Sequence, residues 1–162
     1  MALITYLTRI QFDFGALKLL ESELQLLGLR RPLIVTDKGV IAAGLWAKVK
    51  EHLPGNMPIT LYDGTPENPT EAAMREALAI YKAEGCDGII AIGGGSPMDL
   101  AKAVGLMATH PGSSLQHYSF VEGGAPRITD KVAPIVAIPT TSGTGSEVSR
   151  GGVIIMDSGR KL

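Results

Sequence analysis

The 162-residue chain predicts an α/β fold, a mostly parallel sheet flanked by helices, and two observations carry that expectation. Short apolar runs rich in β-branched residues, at 33–36, 59–62, 88–92 and 135–138, alternate with stretches of helical periodicity, as strand–helix–strand crossovers require. The 20 glycines and 10 prolines fall largely between those runs, so they read as tight loops joining regular elements.

Each element has its own signal. Residues 3–12 read as an extra strand ahead of the alternation. Leu17, Leu20, Leu24 and Leu27 recur at helical spacing and predict a helix over 16–27, with Gly28 where a left-handed cap belongs. Residues 33–36 form a buried strand. Ile41, Leu45, Val49 and Leu53 step by four and predict a second helix, closed by Pro54-Gly55. Strand 59–62 leads into a loop over 63–69, after which Thr70 is placed to cap a helix carrying Met74, Ala77, Leu78 and Tyr81 and ending at Gly85. Strand 88–92 and helix 96–108 follow. Residues 109–131, with Pro111, Gly112, Gly123, Gly124 and Pro126, have no period and read as a long loop. Strands 135–138 and 153–156 come last.

Charge and composition remove several function classes. Fifteen basic against sixteen acidic side chains leave a net charge of −1, without the basic excess that nucleic acid or an anionic membrane would call for. No apolar run approaches the roughly 20 residues of a membrane span. The opening Met1-Ala2-Leu3-Ile4-Thr5-Tyr6 lacks the basic start of a signal peptide, so the chain reads as one cytoplasmic domain over 1–162. Cys86, the single cysteine, excludes a disulfide framework and reads as a small core residue. His52, His110 and His117 have no usual ligand spacing, and Lys38, Lys102 and Glu147 read as helix-face and loop-end groups. No catalytic or metal-binding residue is therefore expected within the chain.

Ligands of parallel sheets bind at the carboxyl ends of strands, and two such junctions are chemically distinctive. The first is Ile92-Gly93-Gly94-Gly95-Ser96-Pro97-Met98-Asp99. Its glycines let backbone N–H groups approach an anion, Ser96 is a candidate cap with Pro97 at the first helical position, and Asp99 completes a capping arrangement. Exposed N–H groups at a helix start make a phosphate site. It matches neither the dinucleotide fingerprint, because Met98 replaces the last glycine, nor the lysine-bearing phosphate loop. The second junction, 139–147, holds Thr140, Thr141, Ser142, Gly143, Thr144, Gly145 and Ser146, whose hydroxyls and backbone can bind one polar ligand together with the glycine turn. Asp37, at the end of strand 33–36, suits either a ribose hydroxyl or a helix start.

These segments, with Pro66-Glu67-Asn68-Pro69, resemble the iron-containing (metal-dependent, group III) alcohol dehydrogenases over nearly the whole chain and in the family's order. The resemblance implies a Rossmann-like nucleotide-binding domain of the dehydroquinate synthase type, followed in the family by a helical metal-binding domain that is absent from these 162 residues. It implies NAD as cofactor and a small alcohol or aldehyde as substrate. It further implies Fe²⁺ or Zn²⁺ bound by the other domain, and a homo-oligomeric whole enzyme. By the same resemblance Asp37 contacts the adenosine ribose, Asn68 positions the nucleotide, and Gly94, Gly95, Ser96, Pro97 and Asp99 hold the pyrophosphate. Thr140, Thr141, Ser142, Gly143 and Thr144 line the rest of the cofactor, and Lys161 reaches its adenosine side. The chain alone is expected to be inactive. The alternatives are a stand-alone nucleotide-binding module, a glycerol dehydrogenase or dehydroquinate synthase-type domain, and a phosphate-binding transferase.

Overall fold

The computed structural model describes residues 2–5, 8–110, 112 and 114–162. The chain opens with an antiparallel pair, β1 (Ala2–Thr5) and β2 (Arg9–Phe12), in which Ala2 faces Phe12 and Thr5 faces Arg9. The expected single strand over 3–12 is therefore two strands; its Tyr6 and Leu7, like Pro111 of the expected loop, lie outside the described residues.

The predicted helix over 16–27 is a 3-10 turn (Ala16–Leu19) running into α1 (Leu20–Leu27), and Gly28 ends it in the left-handed conformation at φ 70°. β3 (Pro32–Val35) is buried along its length. The helix expected through Leu53 is broken into α2 (Lys38–Ala42) and α3 (Leu45–Lys50), because Gly44 takes φ 69°, a value no helical residue can hold. β4 (Thr60–Tyr62) leads to α4 (Glu71–Ala83), where Thr70 caps as expected, its Oγ1 accepting from the Ala73 N–H at 3.1 Å. β5 (Gly88–Gly93) runs into α5 (Gly95–Thr109). The stretch read as loop contains two 3-10 turns, Leu115–Tyr118 and Ala125–Arg127, before β6 (Ile135–Pro139).

Residues 153–156 do not form the expected strand. Ile155 makes single bridges to Thr70 and Lys161, and Ile154 exchanges two backbone hydrogen bonds with Leu162 at 2.8 and 3.0 Å. The segment is a strap laid against the start of α4, with too few neighbours in register to extend the sheet.

The main sheet has the order β4-β3-β5-β6, every pair parallel. Strand residues alternate between its faces. Leu33, Val35, Ile89 and Ala91 pack with Met74, Ala77, Leu100 and Val104 of α4 and α5. Ile34, Ile90 and Ile92 pack on the other side with Leu20, Leu24, Val40 and Val49. Two covered faces explain why the strands are continuous apolar runs rather than alternating ones. The chain leaves β3 in one direction for β4 and returns past it to β5, so the carboxyl ends of β3 and β5 flank the point where strand order reverses. A crevice opens there in open α/β sheets.

Candidate functional site

The glycine turn leaves β5 with Gly93 at φ 149°, where a Cβ would stand 2.6 Å from the Pro97 ring. Conformation and space both require glycine at this position. Gly94, extended at φ −79° and ψ −156°, is the residue that caps α5. The cap therefore falls two residues before the expected Ser96, and Pro97 sits at the third helical position rather than the first. Ser96 cannot cap because its hydroxyl donates instead to the Glu67 backbone oxygen, tying the glycine turn to the loop after β4. The N–H groups of Gly95 and Ser96 have no acceptor among the described residues. They are two of the orphan donors that every helix start presents.

Asp99 is not part of a cap either. Its Oδ1 lies 3.3 Å from Lys102 Nζ and its Oδ2 accepts from the Val153 N–H at 3.0 Å, while Lys102 donates to the Gly151 oxygen at 2.7 Å. This pair staples residues 151–153 to α5, so closely that a Cβ on Gly152 would meet Asp99 backbone at 3.2 Å.

The hydroxyl-rich turn follows β6, held beside the first by a Thr140 N–H bond to the Gly93 oxygen at 2.9 Å. Thr144 Oγ1 donates to Glu147 Oε2 at 3.1 Å and accepts from the Ser146 N–H at 3.2 Å, which fixes the turn internally. The two turns stand against each other. A Cβ on Gly94 would lie 3.3 Å from Thr141 Oγ1, and one on Gly95 would lie 3.3 Å from Ser146 Oγ.

Asp37 follows β3 and serves as a helix start, its Oδ1 accepting from the Val40 N–H at 2.9 Å. Its Oδ2 points toward the glycine turn, 3.3 Å from where a Gly93 Cβ would be. Two clefts meet at Gly95 and Ser96. The larger, about 810 Å³, takes in Asp37, Gly94, Pro97, Thr140 and Thr141. The smaller, about 220 Å³, takes in Asn68, Asp99, Thr144 and Lys161. Ser142 and Gly143, exposed at the tip of the second turn, line neither cleft. Asp63 lines the larger cleft without having been singled out in the sequence, beside Thr65 and Glu67 of the strand-end junction 64–69. They arrive through the backbone bridge between Asp37 and Gly64, a tertiary pairing with no local signature. Beneath this wall Tyr62 donates to Glu76 Oε2 at 3.1 Å; burial first, then that bond, push its phenol up to about 12.

The sequence profile described as "Iron-containing alcohol dehydrogenase" matches residues 8–162. The chain belongs to the iron-containing alcohol dehydrogenase family. Among curated members of this dehydrogenase family, the 4-hydroxybutyrate dehydrogenase of Cupriavidus necator is 56% identical over 162 residues, covering 100% of this chain and 42% of that protein. The 1,3-propanediol dehydrogenase of Klebsiella pneumoniae is 38% identical over 142 residues, 86% of this chain and 35% of its own. The crystal structure of a 1,3-propanediol oxidoreductase superposes with a TM-score of 0.81 at 35% identity, covering 91% of this chain and 38% of that one. A sulfoacetaldehyde reductase from Bifidobacterium kashiwanohense, solved in complex with NAD⁺, gives a TM-score of 0.77 at 27% identity, with the same 91% and 38% coverage. The chain thus spans about two fifths of the length of these relatives. Among the described residues of this family member, no three His, Cys, Asp or Glu side chains are grouped to hold a metal ion. None of its described helices is long and apolar enough to cross a membrane.

Proposed function

We propose that this chain is the NAD-binding half of a metal-dependent dehydrogenase that interconverts small primary alcohols and their aldehydes by hydride transfer. The observation that carries the reading is the pairing of two turns at adjacent strand ends, with N–H groups at Gly95 and Ser96 between them that have no acceptor among the described residues. Those donors and the start of the 15-residue helix α5 suit a pyrophosphate. Asp37 keeps Oδ2 for a ribose hydroxyl after Oδ1 has capped α2. Thr140 and Thr141 border the larger cleft, Asn68, Thr144 and Lys161 the smaller, and Ser142 and Gly143 would close over a bound nucleotide from the turn's exposed tip. Asp99, with both oxygens engaged, orients the site by holding residues 151–153.

When bound, the nicotinamide supplies the hydride chemistry; the protein's share is binding, orientation and exclusion of water. The NAD⁺ in the reductase complex supports the cofactor, and the relatives named for 4-hydroxybutyrate and 1,3-propanediol, both carrying a primary alcohol, support the substrate class. Fe²⁺ or Zn²⁺ would be held by residues of the whole enzyme outside this chain, a cytoplasmic homo-oligomer in this reading.

A thermal-shift titration with NAD⁺ and NADP⁺, without added metal, tests the cofactor. At 100 times Kd a ligand stabilises by about 2.7 kcal/mol, which for a chain of this size raises Tm by about 5–11 °C. The expected result is that rise with NAD⁺ and little with NADP⁺. No shift with either nucleotide, or an equal shift with plain phosphate, counts against the reading.

A further inference from the structure

We infer that Asp63, in the turn after β4, is a second determinant of NAD over NADP, acting with Asp37 on the 2′ position of the adenosine ribose. The inference rests on the reading of the larger cleft as the nucleotide site. The bridge between Asp37 and Gly64 lays the two segments side by side at the reversal of strand order, and both aspartates line the cleft. Their situations differ. Asp37 has one oxygen committed to the Val40 N–H. Asp63 is half-buried, and its carboxylate has no hydrogen bond or ion pair among the described residues. Lys38 is the one cation among the described residues lining this cleft; it is exposed and pairs with neither aspartate.

A second, independent observation marks the same wall as the place of a ligand. Thr65 is only 7% exposed, lines the cleft, and carries a hydroxyl with no partner among the described residues. A buried hydroxyl is normally satisfied, so the wall lacks a polar neighbour. A ribose with free hydroxyls offers donors to carboxylates and to Thr65. A 2′-phosphate brings about −1.5 to −2 charges against two aspartates. Removing Asp37 alone leaves the repulsion from Asp63 in place.

Isothermal titration calorimetry of the chain with NAD⁺ and NADP⁺ tests this, using Asp63→Asn, Asp37→Asn and the double variant. Asp63→Ser and a thermal melt of each protein serve as folding controls. Asp63→Asn is expected to tighten NADP⁺ by about three- to tenfold while NAD⁺ stays within about twofold, and the gain should shrink at high salt. The double variant should favour NADP⁺ more than either single one. Unchanged NADP⁺ affinity in Asp63→Asn, alongside a gain in Asp37→Asn, overturns the role of Asp63 and leaves the cofactor reading standing. An equal gain for both nucleotides overturns it too. Failure of the unaltered chain to bind either nucleotide overturns both.

Discussion

Thr65 shows how a single side chain can be costly to the fold. An unsatisfied buried hydroxyl costs about 1–3 kcal/mol, so the near-isosteric Thr65→Val should stabilise the free chain by about 1 kcal/mol and raise its calorimetric Tm by about 2–4 °C. Gly93 behaves oppositely. Alanine there meets both φ 149° and the Pro97 ring, so Gly93→Ala should destabilise the chain by about 1–3 kcal/mol in urea titrations. Tyr62 makes stability depend on alkaline pH. Its phenol rises from 10.0 to about 12, so the folded chain keeps a proton that the unfolded chain has lost. That contribution is complete below pH 10 and disappears as pH climbs through 12. Urea midpoints measured at about pH 9 and pH 11 should fall more for the unaltered chain than for Tyr62→Phe. Residues with local duties were visible in the sequence: Thr70 as a cap and Gly28 as a helix end. Asp63 was not, and Thr65 only as part of the strand-end junction 64–69, because their relation to Asp37 arises across a bridge between segments far apart in the chain.

At the scale of elements, periodicity located the helices and misjudged where they stop. Leu45, Val49 and Leu53 face the core side as their spacing of four implies, while ahead of Gly44, which interrupts the backbone, Val40 takes the core position expected of Ile41. The stripe shifts by one residue across the left-handed Gly44, and a rhythm of four read from the sequence conceals that break. The start of α5 was misplaced for a related reason. Ser96 has the right chemistry for a cap, but the Glu67 carbonyl claims its hydroxyl, and Gly94 needs no side chain to begin the helix. Thr70 has no such competitor. Its Oγ1 bond to the Ala73 N–H is the cap of α4, and Thr70→Ala should cost about 1 kcal/mol, read from the urea midpoint. Residues 153–156 have a strand's composition without a strand's partners, which composition cannot reveal.

Over the whole molecule, alternation of strands and helices was enough to expect a parallel sheet, whereas the order β4-β3-β5-β6 needed coordinates. That order matters most for function, since it brings Asp37 next to the glycine turn. The same view shows apolar side chains left in water: Phe14 is fully exposed, Phe12 is 70% exposed, and Phe120, Val121 and Leu26 are also open. Exposed apolar surface of this kind drives association. Sedimentation velocity should show the 162-residue chain associating as its concentration rises, and Phe12→Ser with Phe14→Ser should reduce that association.

The strap formed by Ile155 bears on how the chain matures as it is made. Its N–H binds the Pro69 oxygen and its carbonyl receives the Glu71 N–H, so the segment carrying Asn68 is clasped by residues that leave the ribosome much later. At about 5–20 residues per second, the early strands and the glycine turn exist for several seconds before that clasp can close. During that interval the part of the larger cleft built from residues 37–97 can take shape, Thr140 and Thr141 joining it late, while the smaller cleft still lacks its far wall. A nascent chain stalled before Val153 would then present half a cradle, open to chaperones on the side that Val153, Ile155 and Lys161 later cover.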